Sequence, residues 1–429
     1  MRLPTYDKPR LICCAENYPQ HLALPRGCLT DLLDLLQSLH IQPRIIDERV
    51  SGQPILVAFR GTLKPEQKKT IDHLLAHDTG VLAATTAFGK TVAAIYMIAQ
   101  RAVNTLILVH RRHLLDQWLE RLNAFLVGDG LSIGRFGDGK RAPSGVIDVA
   151  LIQSLHRKSV VDDRVAGYGQ IIVDECHHLS AVSFENVARH CKAKYVLGLS
   201  ATVIRKDGHH PIIFMQCGPV RYRDDARKQA ENRPFTHRVI PRMTGFRMPD
   251  ASDSDKPITI TDIYAALIAD IKRNDLIFDD VLKALEQKRS PVVITERKEH
   301  LHHLADRLSR FARNVIVMKG GEGARQRKAI AEKIAGIPDG EERLIIATGR
   351  YLGEGFDDPR LDTLFLTLPI SWKGTLAQYA GRLHRLHDGK TEVIVYDYVD
   401  EEAPMTMRMF QRRLRGYRAL GYRVEGFDE

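Results

Sequence analysis

The chain has 429 residues, 44% of them hydrophobic and 27% charged, a globular composition that excludes a disordered or fibrous chain and leaves room for two or three domains. Its apolar runs reach about ten residues, short of the roughly 20 that cross a bilayer, and Met1 to Pro9 lacks the apolar core of an export signal, so a cytoplasmic protein with no membrane partner is expected. Lys plus Arg (63) exceed Asp plus Glu (53), a surplus that favours a polyanionic partner, and six cysteines without a CxxC pair point to neither a zinc ribbon nor a disulfide framework.

In chain order, residues 1–55 read as a small N-terminal α+β module, with Leu24-Pro25-Arg26-Gly27 before a helical pattern from Leu29 to Leu39. Residues 56–225 alternate apolar strands with amphipathic helices, the pattern of α/β units around a parallel sheet. Residues 226–260 read as a linker, with Pro234, Pro241, Pro249 and the polar run Asp250 to Asp255. A second α/β unit is expected over 261–400. Residues 401–429 read as a basic helical tail carrying Arg408, Arg412, Arg413, Arg415 and Arg418.

Chemistry enters at residues 81–96. An apolar stretch runs into a small-residue loop, Ala84-Thr85-Thr86-Ala87-Phe88, then Gly89-Lys90-Thr91 and a helical pattern. A phosphate-binding loop needs this strand–loop–helix context, because backbone amides and the helix dipole then point at the anion. Lys90 would reach the β and γ phosphates, and the Thr91 hydroxyl would face Mg²⁺. Ala84 stands where the full pattern has glycine. The second motif is an apolar strand ending in two carboxylates, Ile171-Ile172-Val173-Asp174-Glu175-Cys176-His177-His178. At a strand end the acids can divide the labour, Asp174 toward Mg²⁺ and Glu175 toward the attacking water. His300, His302 and His303 lack the partners of a metal site and read as a surface helix.

These two motifs resemble motifs I and II of superfamily 2 DEAD/DEAH-box helicases, the second in its DExH form. Gln67 looks like the adenine-side glutamine, and Leu108-Val109-His110-Arg111-Arg112 and Ile152-Gln153-Ser154-Leu155 look like strand-contacting motifs. Leu199-Ser200-Ala201-Thr202 looks like motif III, Val293 to Arg297 like motif IV, Ala347-Thr348-Gly349 with Gly353 to Asp357 like motif V, and Gln378 to Arg385 like motif VI. Ser200 to Gly208 is similar to the XPB branch, with Lys206 in place of the acidic middle residue of its Arg-Glu-Asp triplet. The chain also resembles bacterial helicases of genome-conflict loci.

The resemblance implies two RecA-like domains, each a parallel sheet flanked by helices, sharing one ATP site. It implies ATP and Mg²⁺ as cofactors and nucleic acid, DNA before RNA, as partner, with a nuclease or primase in another chain as a further partner. It places Gln67, residues 84–91 and Asp357 at ATP, and Thr91 and Asp174 at the metal. Catalysis falls to Lys90, Glu175, Arg382 and Arg385. Coupling falls to His177, Ser200 and Thr202, and the nucleic-acid track to Arg111, Arg112, Gln153, Ser154, Arg297 and Thr348. Arg382 and Arg385 are three apart and would share a helix face. Alternatives to a translocase are an ATP-switched binding subunit and the motor of a restriction or defence complex. The motif I loop departs from the helicase pattern at Ala87, where glycine is usual.

Overall fold

The computed structural model describes residues 13–427, apart from 86–87, 138–139, 158–159, 179–181, 202–210, 250–257, 321, 354–357 and 372. The chain divides into two units, Met1–Asp224 and Asp225–Glu429.

The first unit is built on an eight-stranded sheet. From one edge its strands are Val220–Arg223, Thr79–Ala83, Tyr195–Ser200, Gln170–Asp174, Thr105–Val109, Ile147–Leu151, Ile133–Gly137 and Lys140–Ala142. All neighbours are parallel except the last pair. The central strands are continuous apolar runs because parallel strands are covered on both faces. Period two then splits each run between two cores. Leu106 and Leu108 pack on one side with Ile171 and Val173, and Ile107 and Val109 on the other with Ile172 and Leu82.

The second unit repeats the plan with seven parallel strands. Their order is Val315–Met318, Leu344–Thr348, Pro291–Thr295, Thr363–Leu366, Glu392–Val399, Thr236–Met243 and Arg423–Val424. Val292 and Ile294 enter one core, and Val293 enters the other beside Ile346 and Phe365. Two parallel sheets flanked by helices are the expected pair of RecA-like domains.

Three segments differ from the sequence reading. Residues 226–243, read as part of a linker, form the helix Ala226–Glu231 and the strand Thr236–Met243, which pairs along its whole length with Glu392–Val399. Pro241 is tolerated there because the other neighbour, Arg423–Val424, pairs only with Arg238 and Val239. The tail is helical as expected, but one face of it is buried while Arg408, Arg412, Arg415 and Arg418 stay exposed. Its helix Pro404–Ala419 buries Met409, Phe410, Arg413 and Tyr417, and Asp397 accepts hydrogen bonds from the Arg413 guanidinium and the Tyr417 hydroxyl. The N-terminal segment has a two-residue hairpin and the helix Leu29–Ser38, and it falls within the first unit. The half-buried Arg26 guanidinium anchors it by donating to the carbonyls of Ala188, Cys191 and Ala193.

Candidate functional site

Parallel strands in register present their carboxyl ends at one edge of a sheet, where α/β proteins bind ligands. In the first unit Ser200 pairs with Ala83, Asp174 with Leu199, Val173 with Leu108, and Val109 with Leu151. The loops after Ala83, Val109, Leu151, Asp174 and Ser200 therefore open on a single edge. Residues scattered over more than 100 positions meet there because the sheet brings them together.

At the phosphate loop, Gly89 holds φ at +86° and caps the helix Lys90–Arg101 from its N-terminal side, a conformation that suits glycine. Lys90 is buried, and its ammonium donates to the carbonyls of Ala84 (2.8 Å) and Thr85 (3.3 Å). The Ala84 amide donates to the Ser200 carbonyl at 3.0 Å, fixing the loop to the neighbouring strand. Gln67, on the helix Pro65–Leu75, donates from Nε2 to the Phe88 carbonyl at 2.7 Å and accepts the Lys64 amide at Oε1. Thr91 is partly buried in the first turn of the lysine helix. Thr86 and Ala87 lie outside the described residues, as do Thr202 and Asp357.

The carboxylate strand ends at Asp174, on the same face as Ile172. Asp174 Oδ2 accepts the Trp118 indole N–H at 2.8 Å, and Oδ1 accepts the Glu175 amide at 2.9 Å. Burial, followed by the neighbouring Glu175 charge, pushes the Asp174 pKa up. Glu175 leaves the strand at φ +49°, a left-handed conformation costly for a side chain with a Cβ and one that clusters at functional sites. Burial acts on Glu175 in the same upward direction, but the proximity of His177 and the charge of Lys90 outweigh it and its pKa falls. Among the described residues, Glu175 Oε2 is buried with no aligned donor. His177 Nδ1 lies 3.2 Å from that oxygen and 3.0 Å from Ser200 Oγ. Cys176 is fully buried between these residues and packs in the core, with its thiol pKa raised by burial.

The donor set suits a hard divalent cation. Each Asp174 oxygen receives one N–H and keeps acceptor capacity, and a buried carboxylate pair with an unsatisfied oxygen favours positive charge. Among the described residues no group of three or more His, Cys, Asp or Glu side chains could hold a metal by itself. That agrees with a Mg²⁺ carried by one or two carboxylates and the substrate phosphates.

The expected track residues of the first unit adjoin this edge. Arg111 is the N-cap of the helix Arg112–Phe125, and its Nε donates to His110 Nε2 at 3.0 Å. Gln153, exposed on the short helix Ile152–Leu155 with Ser154, donates to the His110 carbonyl at 3.1 Å. The two strand-contacting motifs are thus neighbours.

In the second unit Thr295 and Thr348 are paired across adjacent strands. Arg297 is the N-cap of the helix Lys298–Leu308, and the Thr348 hydroxyl accepts the Gly320 amide at 3.2 Å. The Tyr379 hydroxyl donates to Glu296 at 2.9 Å, and a Cβ on Gly349 would collide with both, so motifs IV, V and VI share one point that only glycine fits. Arg382 and Arg385 do not share a helix face. The helix Lys373–Leu383 ends before Arg385. Lys390 stops it by donating to the carbonyls of Leu383 (3.1 Å) and Arg385 (2.8 Å). His300 is not on the surface: its ring is buried between Thr295 and Asn274, at 3.1 and 3.0 Å.

Sequence reasoning missed Trp118 and Lys390. The usable signal for Trp118 was its type, since a buried indole needs a partner for its N–H. Lys390 left no local signal, because its three acceptors come from two separate segments.

Two mainly parallel sheets flanked by helices, one with a lysine loop a single strand away from a carboxylate strand, fit an ATP-hydrolysing enzyme of the RecA-like kind. Residues 60–205 match the family model for the type III restriction enzyme res subunit. The chain is 22% identical to "Probable helicase D10" of Escherichia phage T5 over 91% of this chain and 83% of that protein. It is 29% identical to the DNA 3'-5' translocase XPB2 of Sulfurisphaera tokodaii over 41% of this chain and 38% of that one. Its fold is similar to that of Saccharomyces cerevisiae Dbp5 bound to RNA and ADP BeF3, at TM-score 0.56 and 15% identity, over 84% of this chain and 93% of that one. The chain is a helicase, an enzyme that hydrolyses ATP and acts on nucleic acid, and it resembles the helicases of superfamily 2. Among the described residues no helix is long and apolar enough to cross a membrane.

Proposed function

We propose that this helicase works on DNA, with Mg²⁺ as its metal, and couples ATP hydrolysis to movement along a strand or to strand separation. The observation that carries the reading is the convergence of Lys90, Asp174, Glu175, His177 and Ser200 at one sheet edge, with Arg111, Arg112 and Gln153 alongside. The leaning to DNA is supported by the DNA 3'-5' translocase and helicase of the XPB type among the relatives.

In this reading Lys90 and the loop amides hold the phosphates, and Asp174 and Thr91 hold the metal, which would neutralise phosphate charge. Glu175 orients the attacking water and takes its proton. Arg382 and Arg385 stabilise charge developing on the γ phosphate, supported by their motif spacing. Gln67 and Asp357 serve the nucleoside, and His177, Ser200 and Thr202 carry the nucleotide state toward the track. Arg111, Arg112, Gln153, Ser154, Arg297 and Thr348 contact phosphate and sugar, contacts that carry no sequence information. A nuclease or primase partner is supported for the nuclease by the restriction-subunit match over residues 60–205. A cytoplasmic location is supported by six unpaired cysteines.

The test is an ATPase assay with single-stranded DNA, duplex DNA and RNA added in turn. Stimulation by either DNA above RNA is expected, and stimulation by RNA alone would overturn the DNA assignment. Co-purification addresses the partner.

A further inference from the structure

The Trp118 indole is 1% exposed, lies on the helix Arg112–Phe125, and gives its N–H to Asp174 Oδ2 at 2.8 Å. The same helix buries Leu115 and Leu122, one turn before and one after, so the tryptophan belongs to its apolar stripe. That stripe packs in the core shared by Ile172, and Asp174 follows Ile172 by two residues on the same strand face. Arg111 caps the helix and Arg112 begins it, six residues or roughly 9 Å before Trp118. One stiff element thus joins two basic side chains to a carboxylate that lacks other side-chain donors among the hydrogen bonds described.

We propose that Trp118 is a positioning residue that aims the Asp174 carboxylate and makes it respond to nucleic acid held at Arg111 and Arg112. This rests on the ATP-site reading above. A displacement of the helix on engaging a strand is passed through a buried, directional N–H···O bond to one carboxylate oxygen. The other oxygen stays pinned by the Glu175 amide. The carboxylate therefore rotates about a fixed point, which changes how well it can hold the cation.

The experiment compares the wild-type chain with Trp118→Phe, which keeps an aromatic ring in the core and removes the donor. The Mg²⁺ concentration giving half-maximal hydrolysis should rise about threefold or more, and stimulation by DNA should fall by at least as much, with Tm within a few degrees. Unchanged Mg²⁺ dependence and unchanged stimulation would overturn the proposal.

A second measurement leaves Trp118 in place. The chain has two tryptophans, so in Trp372→Phe the emission reports Trp118 alone. It should shift when Mg²⁺ is added to the ADP-bound protein, and not when Asp174→Asn is also present. Emission indifferent to Mg²⁺ would count against the proposal. A wild-type chain without any Mg²⁺-dependent hydrolysis would instead sink the ATP-site reading on which it rests.

Discussion

His177 Nδ1 stands 3.0 Å from Ser200 Oγ, with both residues buried, and so links the segment after the strand ending at Asp174 to the strand beside the phosphate loop. The same imidazole is 3.2 Å from Glu175 Oε2. In the proposed ATP site, this imidazole would link Glu175 to the segment after Ser200. Ser200→Ala removes the far partner and leaves the near one. Its cost in stability should be about 1 kcal/mol, the lower end for a lost buried hydrogen bond. ATP hydrolysis should stay within a few-fold while strand displacement drops tenfold or more. Equal loss of both activities would deny the pair a coupling role.

Lys90→Ala should lower hydrolysis by about a hundredfold or more, since it removes the ammonium that the proposed site uses for the phosphates. The fold should persist, because the ammonium's described acceptors are carbonyls of its own loop. A well-folded mutant with near-normal turnover would refute the phosphate assignment.

Glu175→Gln should keep ATP binding and lower turnover by about 10² to 10⁴, the usual contribution of a positioned acid or base. The amide has nearly the carboxylate's size, and the left-handed backbone at this position is left as it is. Equilibrium binding of a fluorescent ATP analogue, measured beside single-turnover hydrolysis, separates the two effects. Lost binding in a folded mutant would remove Glu175 from the chemical role.

Arg385→Ala should depress hydrolysis strongly with a smaller effect on ATP affinity, because in the proposed role the group acts on transition-state charge. Arg385→Lys should rescue poorly, since an ammonium cannot reproduce the guanidinium fork. DNA binding without ATP should weaken steeply with salt, as phosphate contacts release counterions, yet survive in Arg385→Ala. Normal hydrolysis with lost DNA binding would move this arginine to the track.

The second unit should weaken in mild acid. Burial lowers the His237 pKa to about 4 and the His300 pKa to about 3, from 6.5. For these bases the unfolded chain binds the proton first, so the stability they protect is complete above pH 6.5 and is lost as pH falls toward 4. His237 contributes up to about 2 kcal/mol of this after allowance for its partial solvent access. Thermal unfolding followed from pH 7 to pH 4.5 checks it, and His237→Phe should flatten the slope. A stability that rises on acidification would contradict the burial argument.

The motifs of the first unit were legible because each is a local pattern: an apolar strand, a loop of fixed chemistry, a helix. Register does the rest, and register follows from the apolar runs. What stayed hidden is what tertiary contact decides. Trp118 reads as core in any amphipathic helix, and its acceptor lies 56 positions away. Arg385 reads as helical until Lys390 takes the carbonyls at the helix end. Thr236–Met243 reads as linker because its polar residues and Pro241 disguise a strand whose partners come more than 150 residues later.

That late pairing bears on how the protein is made. Thr236–Met243 is the first strand of the second unit, yet its sheet neighbours are Glu392–Val399 and Arg423–Val424. The strand must wait, unpaired, while the ribosome adds about 150 residues up to its partner strand, whereas the first unit has its sheet complete by Arg223. During synthesis the two units thus face different hazards. The first can close early, and the second holds an exposed strand edge open to wrong partners until its last helix seats Arg413 on Asp397. Nascent chains stalled near residue 400 are the ones that chaperones should find.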